Sequence, residues 1–335
     1  MRSSSSLERK LNKHATTILI GGIFFTFSIL FFLSFCQMPC EDQTYAAMHK
    51  DLTDEGYWNL SPRKSFSCFL FISVLSSPRN THERDVIRET WGKDLPKDIV
   101  LRFVVGIGNL NREEKDSVSR EHMLHKDLLM LNFNESFNAL TLKVKETFQW
   151  VDNNVNLKFL LKVDEDTFVR TDALMRELKQ KTDKRLYWGF FDGRALAKQK
   201  GKWEEKEWIL CDRYLPYALG GGYVLSSDLV HYVSSNSKLL KPFKNEDVSL
   251  GAWLGPLDIN RVHDPRFDTE YKSRGCKNSY LVTHKIPSML MREYNNNLQK
   301  LGHLCSHEFQ VRKSYIYNWR NPPSKCCERV DSSVP

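Results

Sequence analysis

The hydrophobic positions of this chain follow three patterns. From Ala15 to Cys36 ("ATTILIGGIFFTFSILFFLSFC") they run almost without interruption, and no charge breaks them. From Gln37 to about Arg63 they thin into scattered aromatics with no sustained period, the mark of an extended stem. From Ser65 onward, short apolar runs alternate with mixed segments. "FSCFLFISVLSS" predicts a buried strand, "SPRNTHERD" a turn into a helix, and "IVLRFVVGIG" a second strand. "LTLKVKETFQWV" has the spacing of an amphipathic helix, and "LKFLLKVDEDTFV" reads as a third strand that ends abruptly in acids. Strands alternating with helices predict an α/β domain with a largely parallel sheet, whose ligands collect at the carboxyl ends of the strands. The region after His284 is expected to be peripheral helix and loop.

The first apolar run is long enough, at ~1.5 Å per residue, to cross ~30 Å of hydrocarbon. Arg2, Arg9, Lys10 and Lys13 precede it and Glu41 and Asp42 follow, which predicts a cytosolic amino terminus and a signal anchor rather than a cleaved signal peptide. The expected organisation is therefore a tail (1–14), a transmembrane anchor (15–36), a stem (37–63) and one globular domain (64–329). Cys68, Cys211, Cys276, Cys305, Cys326 and Cys327 lie beyond the anchor and allow up to three disulfides, with buried free thiols as the alternative, above all for Cys68. Asn59 in "NLS" and Asn134 in "NES" are glycosylation sequons. At 335 residues, with 41% hydrophobic and 27% charged, the chain can bury a large core. Its net charge of +8 is spread along the sequence without a basic block, so nucleic acid is not an expected partner.

The chemistry centres on Asp164, Glu165 and Asp166. In an extended chain Asp164 and Asp166 share a face and Glu165 points away, so two carboxylates suit a hard divalent cation, with an acidic surface turn as the alternative. In "RDVIRETW", Arg84, Ile87, Arg88 and Trp91 form one helical stripe that either grips a diphosphate or lies over the indole. Gly220, Gly221 and Gly222 permit either a close ligand approach or a tight turn. Asn245 would cap a helix beginning with Glu246 and Asp247, where the acids serve the dipole or one acts as a general base. His284, closing "YLVTH", is either a second type of metal ligand or a hydrogen-bonded strand-end histidine. Trp203 and Trp208 in "KWEEKEW" offer aromatic faces for sugars or for packing.

Taken in order, "RDVIRETWG", "LLKVDEDTFV", "YALGGGYVLS", "EDVSLGAWLG" and "YLVTHK" resemble the successive blocks of the β-1,3-glycosyltransferase family with a GT-A fold, a Rossmann-like nucleotide-sugar-binding domain. The match spans roughly Ser65 to Lys285. The resemblance implies that Asp166 and His284 hold the metal, Mn²⁺ with Mg²⁺ as the other candidate, and that Asp247 is the catalytic base with Glu246 beside it. It implies donor contacts from Arg84, Arg88, Lys162, Asp164 and Glu165, and a glycine turn at Gly221 and Gly222 near the sugar. Glu165 stands where the family often has aspartate, with little expected effect because it should face away from the metal. "EDVSLGAWLGPLDINRVHDPRFDTEYKSRGC" and the tail "SYIYNWRNPPSKCCER" further resemble the family member that adds the second galactose of the glycosaminoglycan linker. That implies a Golgi type II membrane enzyme using UDP-galactose, a proteoglycan core protein carrying Gal-Xyl-Ser as acceptor, and room for assemblies with the other linker enzymes. Galactose and N-acetylglucosamine donors, and other glycoprotein or glycolipid acceptors, are not separable by spacing alone. A membrane-tethered lectin and a metal-dependent phosphohydrolase are the rival classes.

Overall fold

The computed structural model of the chain describes residues 64–208 and 210–328. The expected anchor, stem and Asn59 sequon lie outside the described residues. Asn134 lies within them and is exposed.

The domain is built on a seven-stranded sheet in the order β3-β2-β1-β4-β7-β6-β8. Its members are β1 (Phe66–Leu75), β2 (Ile99–Gly106), β3 (Leu128–Leu131), β4 (Val155–Asp164), β6 (Leu186–Asp192), β7 (Tyr217–Ser226) and β8 (Asn260–His263). The pair β5 (Phe168–Val169) lies just beyond the acids, outside this sheet. β1 is parallel to β2 and β4, β2 to β3, and β6 to β8; β7 alone runs antiparallel to both neighbours. The expectation of a largely parallel sheet is met except at β7. That reversal matters, because it brings the start of β7 to the same edge as the carboxyl ends of β1, β4 and β6.

β1 and β4 are central strands, and their long apolar runs follow from burial on both faces. Leu70, Phe71, Ile72 and Val74 of β1 and Phe159, Leu160, Leu161 and Val163 of β4 are all within 1% of complete burial. Each such side chain contributes about 1.5–3 kcal/mol relative to exposure. Helices α1 (Thr81–Glu89), α2 (Arg112–His125), α3 (Leu140–Asn154), α4 (Thr171–Leu178), α5 (Ser227–Ser235), α6 (Glu246–Leu254) and α7 (Ser288–Leu301) complete the domain. In α3 the buried stripe is Thr141, Val144, Thr147, Phe148 and Val151, at helical spacing, with Lys143 buried beside it. α2 is closed at its start by a reciprocal capping box between Asn111 and Glu114.

Small sheets finish the edge. β5, β9 (Phe267–Asp268) and β11 (Val282–Thr283) form a three-stranded sheet in the order β5-β11-β9. β10 (Gly275–Cys276) pairs with β12 (Phe309–Gln310), and β13 (Ile316–Tyr317) with β14 (Cys327–Glu328). The region after His284 is thus the helix α7 and short strands. Disulfides join Cys276 to Cys305 and Cys326 to Cys327. Cys68 and Cys211 are free, so two bridges form where three were allowed: Cys68 sits in β1, where burial pushes its thiol up to about 11, and Cys211 is exposed in a loop.

Candidate active site

The acids end the central strand β4. Lys162 Nζ lies under them, 98% buried, and donates to Asp164 Oδ1 (2.8 Å), Glu246 Oε1 (2.6 Å) and the Gly220 carbonyl (2.5 Å). One ammonium thus ties the end of β4 to the first turn of α6 and to β7. A buried cation paired with two carboxylates satisfies all of its donors, whereas any member left alone would be costly. Burial works against the charged Lys162, but Asp164 and Glu246 outweigh it and hold its pKa above the ordinary lysine value.

Past Asp164 the chain turns into β5, which pairs with β11 in register Phe168 to Thr283. This register, together with the bond from Ile286 N to the Asp166 carbonyl (2.8 Å), sets His284 against the acids. His284 Nε2 stands 3.0 Å from Asp166 Oδ1 and 3.4 Å from Asp164 Oδ2. Ligand atoms of Asp164, Asp166 and His284 all lie within 4.8 Å of one another. Burial lowers the affinity of His284 for a proton, but the two carboxylates outweigh burial and raise its pKa to about 9. An imidazolium there is the positive charge that the acids demand, and a divalent ion answers the same demand. Two carboxylate oxygens and one imidazole nitrogen suit Mn²⁺ or Mg²⁺, and the other ring nitrogen, His284 Nδ1, is buried without a hydrogen-bond partner. The donor set therefore fits the expected metal, with Asp164 drawn in beside Asp166 and His284.

Glu165 turns the other way, where its Oε1 accepts from Asn80 Nδ2 in the loop between β1 and α1. Burial pushes its pKa up. Lys143 reaches the same corner, bonding both oxygens of Glu135 (3.0 and 2.8 Å) and the Ser76 carbonyl. Lys143 and Asn80 were not singled out from sequence; a lysine on the apolar stripe of "LTLKVKETFQWV" was the available signal for the first.

Arg84 and Arg88 were expected to contact the donor; in the structure both guanidiniums bond groups of the protein itself. Arg84 is fully buried and spends its donors inside the protein: on Glu121 (2.7 and 2.6 Å), Ser76 Oγ (2.8 Å), Thr81 Oγ1 (3.0 Å) and the carbonyls of Ser77 (2.5 Å) and Pro78 (3.3 Å). Arg88 bonds Asp85, Glu121 and Asp127. Burial pushes Glu121 up, yet the two guanidiniums prevail and hold its pKa at about 2. The pair fastens α1 to α2 and clasps the loop that carries Ser76 to Pro78.

The glycines also differ from the expected turn. Gly220, Gly221 and Gly222 lie within the extended strand β7. A Cβ on Gly220 would come within 2.8 Å of Glu246 Oε1 and 3.2 Å of Asp247 Oδ2. On Gly221 it would stand 2.5 Å from the His284 ring, and on Gly222 2.7 Å from Val282 Cγ1. These positions need glycine because side chains from α6, β11 and His284 crowd the strand, not because the chain reverses.

Asp247 sits in the first turn of α6, as the sequence expects. Its Oδ2 accepts from Gly220 N (2.9 Å) and its Oδ1 from Val248 N (2.8 Å). Asn245 occupies the cap position without a side-chain cap bond, so Asp247 itself meets a first-turn N–H. Burial raises the Asp247 pKa, opposed by Lys162 and the two N–H donors. Glu246 is more deeply buried, and Tyr223 donates to its Oε2 (3.0 Å). Burial, opposed by Lys162 and reinforced by Asp247 and Asp164, pushes its pKa up to about 7. Trp208 supports α6 from a second apolar cluster with Tyr214, Tyr217, Phe243 and Val248. Trp203 is partly exposed against Phe137.

The family model described as galactosyltransferase matches residues 82–265. Beta-1,3-galactosyltransferase 6 of Mus musculus is 44% identical over 331 residues, covering 96% of this chain and 98% of that protein. Hydroxyproline O-galactosyltransferase GALT2 of Arabidopsis thaliana is 30% identical over 260 residues, 74% of this chain but only 38% of that protein. A solved mannosyltransferase from Pyrobaculum calidifontis, in complex with GDP-Man and Mn²⁺, gives a TM-score of 0.38 at 12% identity over 67% of this chain and 61% of its own.

Proposed function

Because this chain belongs to the galactosyltransferase family, we propose that it is an inverting β-1,3-galactosyltransferase that moves galactose from UDP-galactose to the 3-hydroxyl of a β-linked galactose. The proposed acceptor is the Gal-Xyl-Ser of a proteoglycan core protein, extended to Gal-Gal-Xyl-Ser, with the domain in the Golgi lumen behind the apolar run 15–36. The observation that carries the reading is the pair of ion pairs by which Lys162 ties Asp164 to Glu246 in the first turn of α6. It brings an acid cluster that would hold a divalent ion and the carboxylate of Asp247 to one sheet edge.

Asp164, Asp166 and His284 would hold Mn²⁺ or Mg²⁺, and such an ion, when bound, supplies charge neutralisation for a diphosphate leaving group. The protein's own groups do the rest. Asp247 accepts the proton of the acceptor 3-hydroxyl; its two backbone N–H bonds fix the carboxylate while leaving lone pairs for that proton. The acceptor oxygen forms a bond to the anomeric carbon as the bond from that carbon to the UDP oxygen breaks, and the electron pair leaves with UDP. Attack opposite the leaving group turns an α-galactoside into a β-galactoside in one displacement. No carboxylate is required as a covalent nucleophile, in contrast with retaining glycosidases. Glu246, bonded by Lys162 and Tyr223, keeps the base's helix turn in register with β4.

The test is to incubate the purified chain with UDP-galactose, Mn²⁺ and a β-galactosyl-xyloside and to determine the linkage of the product. One added β-1,3-galactose is the expected result. Binding of the saccharide without turnover would make the chain a lectin, and release of galactose or phosphate to water alone would make it a hydrolase; either outcome overturns the reading.

A further inference from the structure

From the middle of the sheet to the carboxyl end of β6 runs an aromatic set whose outer members, Phe191, Tyr317 and Trp319, neither the acids nor Asp247 requires. It begins at Tyr223, whose hydroxyl donates to Glu246, and continues through edge-to-face contacts: Tyr187 at 5.9 Å, Phe191 a further 4.8 Å on, and Trp319 5.1 Å from Phe191. Tyr317 stacks on Trp319 with ring centres 4.0 Å apart and planes 27° from parallel.

The tail carrying this pair is fastened with unusual thoroughness. Tyr315 donates its hydroxyl to the Phe191 carbonyl (2.7 Å). His263 is held neutral, its pKa lowered to about 4 chiefly by burial, so Nδ1 accepts from Phe191 N (3.0 Å) and Nε2–H donates to the Tyr315 carbonyl (3.0 Å). Asn318 N bonds the Cys326 carbonyl (2.7 Å), and the β13–β14 pair closes beside the Cys326–Cys327 disulfide. A Cβ on Gly193 would collide with the Tyr317 hydroxyl. Tyr187, Tyr223, Phe191 and Tyr317 are buried; Trp319 is 42% exposed.

An indole packed against Tyr317 and Phe191 yet 42% exposed offers apolar area at little conformational cost. The apolar C–H face of a pyranose is the ligand chemistry that matches it. Its position says which pyranose. Phe191 pairs with Ala218 and Asp192 with Tyr217, and two residues past Ala218, about 7 Å along the strand, Gly220 N holds Asp247. The sugar being extended must present its hydroxyl to Asp247, and this rim lies within one sugar's length of that carboxylate along the strand. Asp192, half-buried at the end of β6, adds a polar group there.

We propose that the open face of Trp319, backed by Tyr317 and Phe191, is an acceptor subsite that stacks the pyranose one position inward from the galactose being extended. The assignment rests on the galactosyl transfer proposed above. The test uses the full chain and its Trp319→Ala and Trp319→Phe variants with two acceptors, methyl β-galactoside and a β-galactosyl-xyloside, measuring KM and kcat for each together with the KM for UDP-galactose. An aromatic contact of the usual strength predicts that Trp319→Ala raises the KM of the disaccharide about 3- to 10-fold. The KM of methyl β-galactoside, the donor KM and kcat should not move, and Trp319→Phe should recover most of the loss. An unchanged ratio between the two acceptors, or an equal rise for both, overturns the subsite. Absence of transfer to either acceptor by the unaltered chain would instead overturn the galactosyltransferase reading, and the subsite with it.

Discussion

Gly221→Ala separates the role of the β7 glycines from that of a flexible turn. Gly221 is extended rather than left-handed, so alanine fits its backbone; the conflict is with the side chain opposite. The new Cβ would stand 2.5 Å from Cγ and Nδ1 of His284, where ordinary contact begins at 3.4 Å. The imidazole must therefore recede by about 0.9 Å, several times the ~0.2 Å that metal-ligand bonds tolerate. The Thr167 hydroxyl bond to the Gly221 carbonyl and the strand pairing of Val163 with Gly222 use the backbone and persist. The expected outcome is a folded chain whose thermal midpoint shifts by only a few degrees while Mn²⁺ affinity falls about 10- to 100-fold or more, since displacing even a group that merely orients a ligand costs this much. Calorimetric titration of Mn²⁺ into the chain in the presence of UDP, with a parallel thermal melt, reads both quantities. Wild-type Mn²⁺ affinity in a correctly folded Gly221→Ala chain would refute the placement of His284 in the metal set.

Two further outcomes follow from charge. His284 has its pKa raised to about 9, so in the metal-free chain its interaction with the acids stabilises fully below about pH 6.5 and is lost as pH rises through 9. Metal binding runs in the opposite sense, because the ion takes the deprotonated imidazole: from pH 7 to 8 the affinity for Mn²⁺ should tighten about tenfold, and His284→Gln should remove most of that slope; equal affinities at the two pH values would contradict it. Arg84→Met removes the donors that clasp Glu121 and the β1–α1 loop, so it should destabilise the chain by about 3–5 kcal/mol in chemical denaturation; a donor KM raised manyfold with stability unchanged would show Arg84 to be a direct donor contact after all.

The sequence revealed some of these features and concealed others for identifiable reasons. The strands through Leu70 and Leu160 were readable because burial on both faces leaves long apolar runs, and alternation placed Asp164 and Asp166 on one face with Glu165 opposed. The antiparallel direction of β7 was not readable, since an apolar strand does not encode the polarity of its neighbours. Arg84 and Arg88 showed their shared stripe but not their partners, because Glu121 and Asp127 come from distant parts of the chain. Gly220 to Gly222 announced a lack of side chains without saying what fills the space: His284 arrives from β11, some 63 residues later in the sequence. Lys162 gave no sign of its three-way bond because Glu246 and Gly220 are equally remote.

The most direct test of the account is Asp247→Asn. The amide preserves the shape of the carboxylate, and at least the acceptor role toward one of the two N–H donors, but cannot take a proton from the incoming alcohol. The account predicts UDP and Mn²⁺ binding within about twofold of the unaltered chain and a fall in galactosyl transfer of about 10²- to 10⁴-fold or more. Transfer at the unaltered rate by a folded, UDP-binding Asp247→Asn chain would contradict it.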